Sequence, residues 1–231
     1  MMKFKRIYSK LVNPKIRSLM KSLNDDAKTP EYRFSMFQLG LELGNEIVSQ
    51  NPKTKYFYLV CTVEDADFLA KGIMESFNIN NKAFNLACFW NSREKTKNKL
   101  WSISPVIRKY VEPYSPPKNS KGKMVIVKSL ISGSCVVKTN IKEVIDRISP
   151  QKIIVTAPVM HKDARSKLEK EFDKKTVDKF DYVYFATDYN KENDYVRPGI
   201  GDVYKLLGLG NQVVKNKYTP LVVKERRSAY L

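Results

Sequence analysis

The chain has 231 residues, 42% of them hydrophobic, which is enough for one α/β domain whose core needs no metal or disulfide staple. Its three cysteines, Cys61, Cys88 and Cys135, form no C-x-x-C pair, which argues against a disulfide framework or a zinc site and predicts a reducing, cytoplasmic setting. No run approaches about eighteen apolar residues, and the basic start MMKFKRIYSKLVNPK lacks a signal-peptide core, so neither secretion nor membrane spanning is expected.

The formal charge of +18 is segregated along the chain. Residues 1–23 carry +7, 82–128 carry +9 and 203–231 carry +5, whereas 24–81 carry −4 and 129–202 carry +1. A basic surface of this kind attracts polyanions and releases their counterions on binding, which makes nucleic acid a plausible partner. A solvated lysine-rich surface is the plainer alternative.

In chain order, residues 1–23 read as a basic N-terminal arm or short helix with Leu11, Val12, Ile16 and Leu19 as anchors. Arg33 to Ser49 predicts a helix apolar on two sides, ended by Asn51-Pro52-Lys53. Tyr56 to Cys61 is an apolar strand; a helix with Ala66, Leu69, Ile73 and Phe77 inward follows, and Glu64, Asp65 and Asp67 suit its positive end. Ala83 to Trp90 is a second strand. The polar, basic stretch Asn91 to Leu100 predicts a loop or hairpin, with Arg93, Lys95, Lys97 and Lys99 as candidate nucleic-acid contacts. Trp90, Trp101 and Tyr110 could stack on unpaired bases, although core packing is the commoner role of such residues. Pro113 to Lys123 is a connector.

Met124 to Val127 reads as a buried strand, and apolar residues at 137, 141, 144, 145 and 148 predict a single helix. Between them, Ser132-Gly133-Ser134-Cys135 is a small-residue turn in which backbone N–H groups and a helix N-terminus can converge on a phosphate. It is not a Walker loop, because no GKS or GKT follows, and one glycine is too few for a dinucleotide fingerprint. Lys152 to Ala157 and Asp181 to Thr187 are further strands, and His161 to Phe172 is an amphipathic helix that His161 opens without special chemistry. The repeated strand–helix order predicts a parallel sheet with ligands at the carboxyl ends of its strands.

The segment Asp194-Tyr195-Val196-Arg197-Pro198-Gly199-Ile200-Gly201-Asp202 resembles the base-recognition segment of uracil phosphoribosyltransferases, which runs roughly tyrosine, two aliphatics, PGLGD. Lys152 to Phe172 is similar to the preceding strand, Ala-Pro turn and helix, and Ser132 to Cys135 falls where that family binds phosphoribosyl pyrophosphate. The resemblance covers about Arg33 to Gly210. It implies a type I phosphoribosyltransferase fold with a small hood over 24–210, flanked by the basic arm and a basic extension at 211–231. It also implies that Ser132, Gly133, Ser134 and Cys135 hold a 5′-phosphate, that the backbone of Val196 and Gly201 reads a pyrimidine edge, and that Asp202 is catalytic. Mg²⁺ and a homo-oligomer are the family's usual companions.

Three departures bear on chemistry; in one, the second acid that follows PGLGD in the family is replaced by the Val203-Tyr204-Lys205 stretch, with a one-residue shortening. The family places a carboxylate shortly before the phosphate loop, where this chain has Val127-Lys128-Ser129-Leu130-Ile131, and an arginine after the first core strand, where this chain has Thr62-Val63-Glu64-Asp65. A lysine beside an oxocarbenium-like centre has the wrong sign, and acids repel pyrophosphate. The sequence therefore leaves three readings: a diverged transferase whose Glu64, Asp65 and Asp67 hold Mg²⁺ or ribose, an inactive nucleotide- and nucleic-acid-binding module, or an assembly component.

Overall fold

The structure is a computed structural model that describes residues 4–92, 94–95, 102–118, 121–193, 195–210 and 212–229. In chain order, β1 (Arg6–Tyr8), α1 (Pro14–Lys21) and α2 (Thr29–Gln50) lead to β2 (Tyr56–Thr62). One continuous helical segment follows, made of α3 (Val63–Asp65), a π-helical turn (Ala66–Ala70) and α4 (Lys71–Ile79). Next come β3 (Ala83–Asn91), a small hairpin of β4 (Glu94–Lys95) and β5 (Ser102–Ile103), then β6 (Val106–Val111), β7 (Lys123–Val127) and β8 (Leu130–Ile131). The chain continues through α5 (Cys135–Lys142), α6 (Ile145–Ile148), β9 (Ile153–His161), α7 (Ala164–Glu169), α8 (Lys174–Val177) and β10 (Phe180–Asp188). A second hairpin of β11 (Asn190–Glu192) and β12 (Tyr195–Arg197) precedes α9 (Val203–Leu206), α10 (Gln212–Lys217) and α11 (Leu221–Ser228).

The main sheet runs β1-β10-β9-β7-β2-β3-β6, with β8 paired to β9. Strands β10, β9, β7, β2 and β3 are mutually parallel, while β1 and β6 close the two edges antiparallel. The expected α/β class, a mostly parallel central sheet flanked by helices, is what the chain forms. β2, β7 and β9 are buried over nearly every residue, as sheets covered on both faces require. One apolar cluster, with Met36, Leu39, Leu43, Phe57, Ile73 and Phe77, packs α2 and α4 on one face; the other, with Val137, Ile141, Ile148 and Leu168, packs α5 to α7 on the opposite face. α2 and α4 approach closely because Gly40 and Gly72 face each other: a Cβ on Gly72 would lie 2.1 Å from the Phe37 carbonyl oxygen.

Several expectations change. α2 begins at Thr29 rather than Arg33, because Pro30 starts its first turn. The single helix predicted through 148 is divided into α5 and α6 at Val144, whose φ of −131° is not helical. β9 runs through Ala157-Pro158 to His161, so the resemblance's Ala-Pro turn is strand here, and the helix expected from His161 is the shorter α7. Edge strand β6 carries no sequence expectation at all, although Val106, Ile107 and Val111 gave it β-branched character. The basic arm is continuous with the fold: β1 pairs with β10, and Ile16 and Met20 are buried in the core. The 211–231 segment likewise buries Val222 and Val223.

Candidate functional site

Strand order reverses between β2 and β7, since the chain leaves β2 for β3 on one side and β7 for β9 and β10 on the other. At such a point the loops after the two strands splay apart and leave a crevice at their carboxyl ends. A crevice of about 500 Å³ opens there, lined by Glu64 after β2, Lys128 to Leu130 and Ser132 after β7, Asp25, and Tyr195 to Pro198 with Ile200 to Tyr204. Of the residues singled out in the sequence, Ser132, Val196, Gly201 and Asp202 meet on its wall. Gly133, Ser134 and Cys135 continue from Ser132 into the first turn of α5 without lining it.

The turn at Ser132 to Cys135 presents backbone more than side chains. A Cβ on Gly133 would meet nothing within 4 Å, so the turn is open on that side. Ser134 precedes α5 without capping it; its hydroxyl donates to Glu171 Oε1 at 3.2 Å, and Lys138 Nζ donates to Glu171 Oε2 at 2.9 Å. The Lys138 hydrogen bond, ahead of burial and other contacts, holds the Glu171 carboxyl below its ordinary range. The first N–H groups of α5 have no acceptor within the helix itself. From the hood hairpin, Lys191 Nζ reaches the Ser132 carbonyl at 2.9 Å and adds positive charge beside the turn.

The turn at Val196 to Asp202 is held from distant parts of the chain. Asp188, at the end of β10 and fully buried, accepts from Arg6 Nε at 2.6 Å, Arg6 Nη2 at 2.7 Å and the Gly199 N–H at 2.8 Å. Tyr32 donates its hydroxyl to the Ile200 carbonyl at 2.9 Å. Gly201 has φ +72°, and a Cβ there would lie 2.7 Å from Leu206 and 2.8 Å from the Asn24 backbone. Asp202 caps α9 through Oδ1, which accepts from Tyr204 N and Lys205 N, while its own N–H donates to Asp25 Oδ1. Its carboxylate faces the crevice with one oxygen already committed.

Two of the three sequence departures meet on the crevice floor. Lys128 Nζ donates to Asp65 Oδ2 at 2.6 Å, Glu64 Oε1 at 3.0 Å and Thr62 Oγ1 at 3.0 Å, and Asp65 Oδ1 accepts the Ser129 N–H at 2.9 Å. All five residues are buried. Burial alone would raise the Glu64 carboxyl; the charges of Lys128 and then Lys215, with hydrogen bonds, outweigh it and bring the group down to about 2. Asp67 serves elsewhere, accepting the Tyr218 hydroxyl and the Leu221 and Val222 N–H groups at the start of α11. The three acids thus bind other segments rather than capping their own helix, whose leading Thr62 makes no side-chain cap. With both Glu64 and Asp65 committed to an ammonium, these residues do not fit a protein-held Mg²⁺, and the described residues contain no cluster of three His, Cys, Asp or Glu able to hold a metal.

Arg93, Lys97 and Lys99 lie outside the described residues, and Lys95 is placed only as backbone of β4. Part of the basic charge proves internal. Arg6 is paired with Asp188, Lys128 with Glu64 and Asp65, Arg226 with Glu112, and the buried Lys215 donates to the Asn91 carbonyl at 2.7 Å. Trp90 and Tyr110 belong to the core: Trp90 is fully buried and Tyr110 donates to Glu112. His161 is buried, and desolvation first, with the charge of Lys191, lowers its pKa, so it is neutral at pH 7. Arg6, Tyr32, Asp25 and Arg197 escaped the sequence reading, because no local pattern marks a side chain that acts across more than a hundred residues.

The chain superposes on the AQ2163 protein from Aquifex aeolicus with a TM-score of 0.66 at 14% identity, over 86% of this chain and 96% of that one. Weaker superpositions, which support nothing by themselves, include hypoxanthine-guanine phosphoribosyltransferase from L. donovani (TM-score 0.42, 11% identity, 72% of this chain and 89% of that one) and hypoxanthine phosphoribosyltransferase from Trypanosoma cruzi (0.43, 10%, 73% and 84%). No family model matches the chain, and no curated protein matches it by sequence. Among the described residues no helix is long and apolar enough to cross a membrane.

Proposed function

We propose that the crevice binds a phosphoribosyl-type ligand, specifically a pyrimidine nucleoside 5′-monophosphate, and that the protein is a diverged relative of uracil phosphoribosyltransferases. One observation carries this reading: Ser132 of the phosphate turn and Val196 to Asp202 of the base turn, 64 or more positions apart in the sequence, form walls of one crevice at the switch point of the sheet. The 5′-phosphate would lie against the N–H groups of the first turn of α5, with Lys191 beside it. The base would lie against the backbone of Val196 and Gly201, where Tyr195, 71% exposed, offers a ring face.

The floor argues for a nucleotide over phosphoribosyl pyrophosphate. Relative to the family the resemblance points to, the signs are exchanged: lysine stands before the phosphate loop and acids stand after the first core strand. Two carboxylates hold the Lys128 ammonium, and the charge of Lys215 acts on Glu64 as well, so the floor offers acceptors to ribose hydroxyls and no uncommitted cation to a pyrophosphate group. Incubation with phosphoribosyl pyrophosphate, Mg²⁺ and uracil should therefore release no pyrophosphate above background, while UMP binds. Release that depends on uracil would refute the reading of the floor and establish a working transferase.

A further inference from the structure

Strand β6 ends the main sheet, and among the described residues it pairs with β3 alone. The Glu112 N–H donates to the Leu86 carbonyl at 2.9 Å, and the register then sets Val111 opposite Ala87, Tyr110 opposite Cys88, Lys109 opposite Phe89 and Arg108 opposite Trp90. Bonded and non-bonded pairs alternate in an antiparallel ladder. The backbone of Tyr110 and Arg108 therefore faces β3, while Lys109 and Val111 turn their N–H and C=O groups outward. The side chains beside this open edge are apolar and basic. Ile103, Pro105, Ile107 and Lys109 are exposed in alternation along β5 and β6, Ile103 by 48% and Ile107 by 50%. Lys109 Nζ meets Glu143 at 3.0 Å in an exposed pair, and Arg226 is held by Glu112. Arg108 lies over the Trp90 ring and donates to Thr219, and Arg227 lies over the Tyr110 ring, neither with a carboxylate partner among the described residues. The stretch 82–128, which contains β6, carries +9.

An open strand edge is a template for one more strand. We propose that β6 takes an extended acidic segment of a partner protein, which adds a strand to the sheet and sets alternate apolar side chains beside Ile103 and Ile107. Three observations select that occupant. The outward groups at Lys109 and Val111 include carbonyls as well as N–H groups, which suits a polypeptide ladder; phosphates accept from N–H groups but have no donor for the carbonyls. The guanidinium groups of Arg108 and Arg227 call for carboxylates on the incoming strand, and so does Lys109, whose exposed pair with Glu143 is worth at most about 1 kcal/mol. The same charges disfavour a second copy. Two β6 strands paired antiparallel about Lys109 or Arg108 set like charges directly opposite, and a centre further along brings in Pro113, which has no N–H. The other edge of the sheet offers no such template, since β1 has only three residues. The surface uses no residue that lines the crevice, so it stands whether or not the crevice binds a nucleotide.

The test is an NMR titration of the full chain with a peptide as long as β6, six residues of alternating valine and glutamate with blocked ends, and with two controls. One control replaces each glutamate by lysine. The other keeps the glutamates but carries N-methyl groups on two adjacent central residues, which removes a donor from each edge of the peptide. Saturable shifts at Ile107, Lys109 and Val111 are expected with the acidic peptide, together with slowed exchange of the Lys109 and Val111 amide protons. Both controls should bind more weakly by about tenfold or more. Lys109→Pro removes one outward N–H and should weaken the acidic peptide by a similar factor. Equal binding of the N-methyl peptide would mean charge attraction without a strand, and equal binding of the lysine peptide would remove the preference for acid. No saturable shift, or amides already protected in a dimer of the free chain, would remove the site or give it to a second copy. Each of these results overturns the proposal. The peptide comparison needs no variant, so it decides even if Lys109→Pro fails to fold.

Discussion

Two buried ion pairs support the crevice, and they are built alike up to one atom. Under the base turn, Asp188 binds Arg6 with both oxygens and also takes the Gly199 N–H; under the floor, Asp65 binds Lys128 with one oxygen and takes the Ser129 N–H with the other. Each pair therefore fastens a loop backbone to the sheet by a carboxylate whose charge is met by a cation. The floor adds a second carboxylate, Glu64, which meets the same ammonium with Oε1 and leaves Oε2 without a partner among the described residues. A fastening needs one acid. The extra one stabilises the ammonium but fastens no second loop and stands where the crevice and a smaller cavity meet, so the comparison separates a clamp from a site.

The largest expected effect is on the clamp. Asp188→Ala removes both carboxylate contacts of a part-buried guanidinium and leaves the Gly199 N–H unmet, and should cost about 3–5 kcal/mol in urea unfolding; a loss below about 1 kcal/mol would show that the turn at Val196 to Asp202 is held by other means. Lys128→Met should fall in the same range at pH 7, about 3–5 kcal/mol, because two carboxylates remain buried against each other. Here pH distinguishes the two regions. Glu64 has its folded-state pKa depressed from 4.5 to about 2, so its ionised form contributes stability above about pH 4.5 that is lost as pH falls toward 2. Wild type should therefore weaken across that window. Lys128→Met should show a flatter or reversed slope there, since protonation relieves its unpaired acids. Matching slopes would mean that Glu64 is not held down by Lys128.

Glu64→Gln sharpens the contrast at the small end. The amide oxygen still accepts from Lys128 and Asp65 still balances its charge, so only the ionised form's own contribution is lost at pH 7, about 1–3 kcal/mol and less than for Asp188→Ala. A loss as large as that of Asp188→Ala would make Glu64 part of the clamp and remove the reason to call it functional.

The parallel sheet and the turns at Ser132 to Cys135 and Val196 to Asp202 were legible because each rests on local pattern: β-branched runs, small-residue turns and a short motif. That Ser132 and the turn at Val196 to Asp202 line one crevice followed from strand order. What stayed hidden were contacts carried by single side chains across the chain. Arg6 looked like one of seven positive charges on an arm, yet it is the cation of the clamp. Lys128, Glu64 and Asp65 each looked out of place alone; only their pairing shows that the lysine and the acids hold one another. The helix predicted from His161 failed for a related reason, as β10 pairs with β9 all the way to His161 and holds it in the sheet.

The central claim is that a 5′-phosphate is held at the open turn after β8. Titration calorimetry of UMP and uridine against wild type and Gly133→Asp tests it most directly, because the new carboxylate enters a space that is otherwise empty and should not disturb folding. UMP should bind wild type more tightly than uridine by about tenfold or more, as one charge-assisted phosphate contact requires, and the variant should lose that advantage while keeping uridine. Equal affinities of UMP and uridine for wild type, or a UMP advantage that survives in Gly133→Asp, would contradict the account.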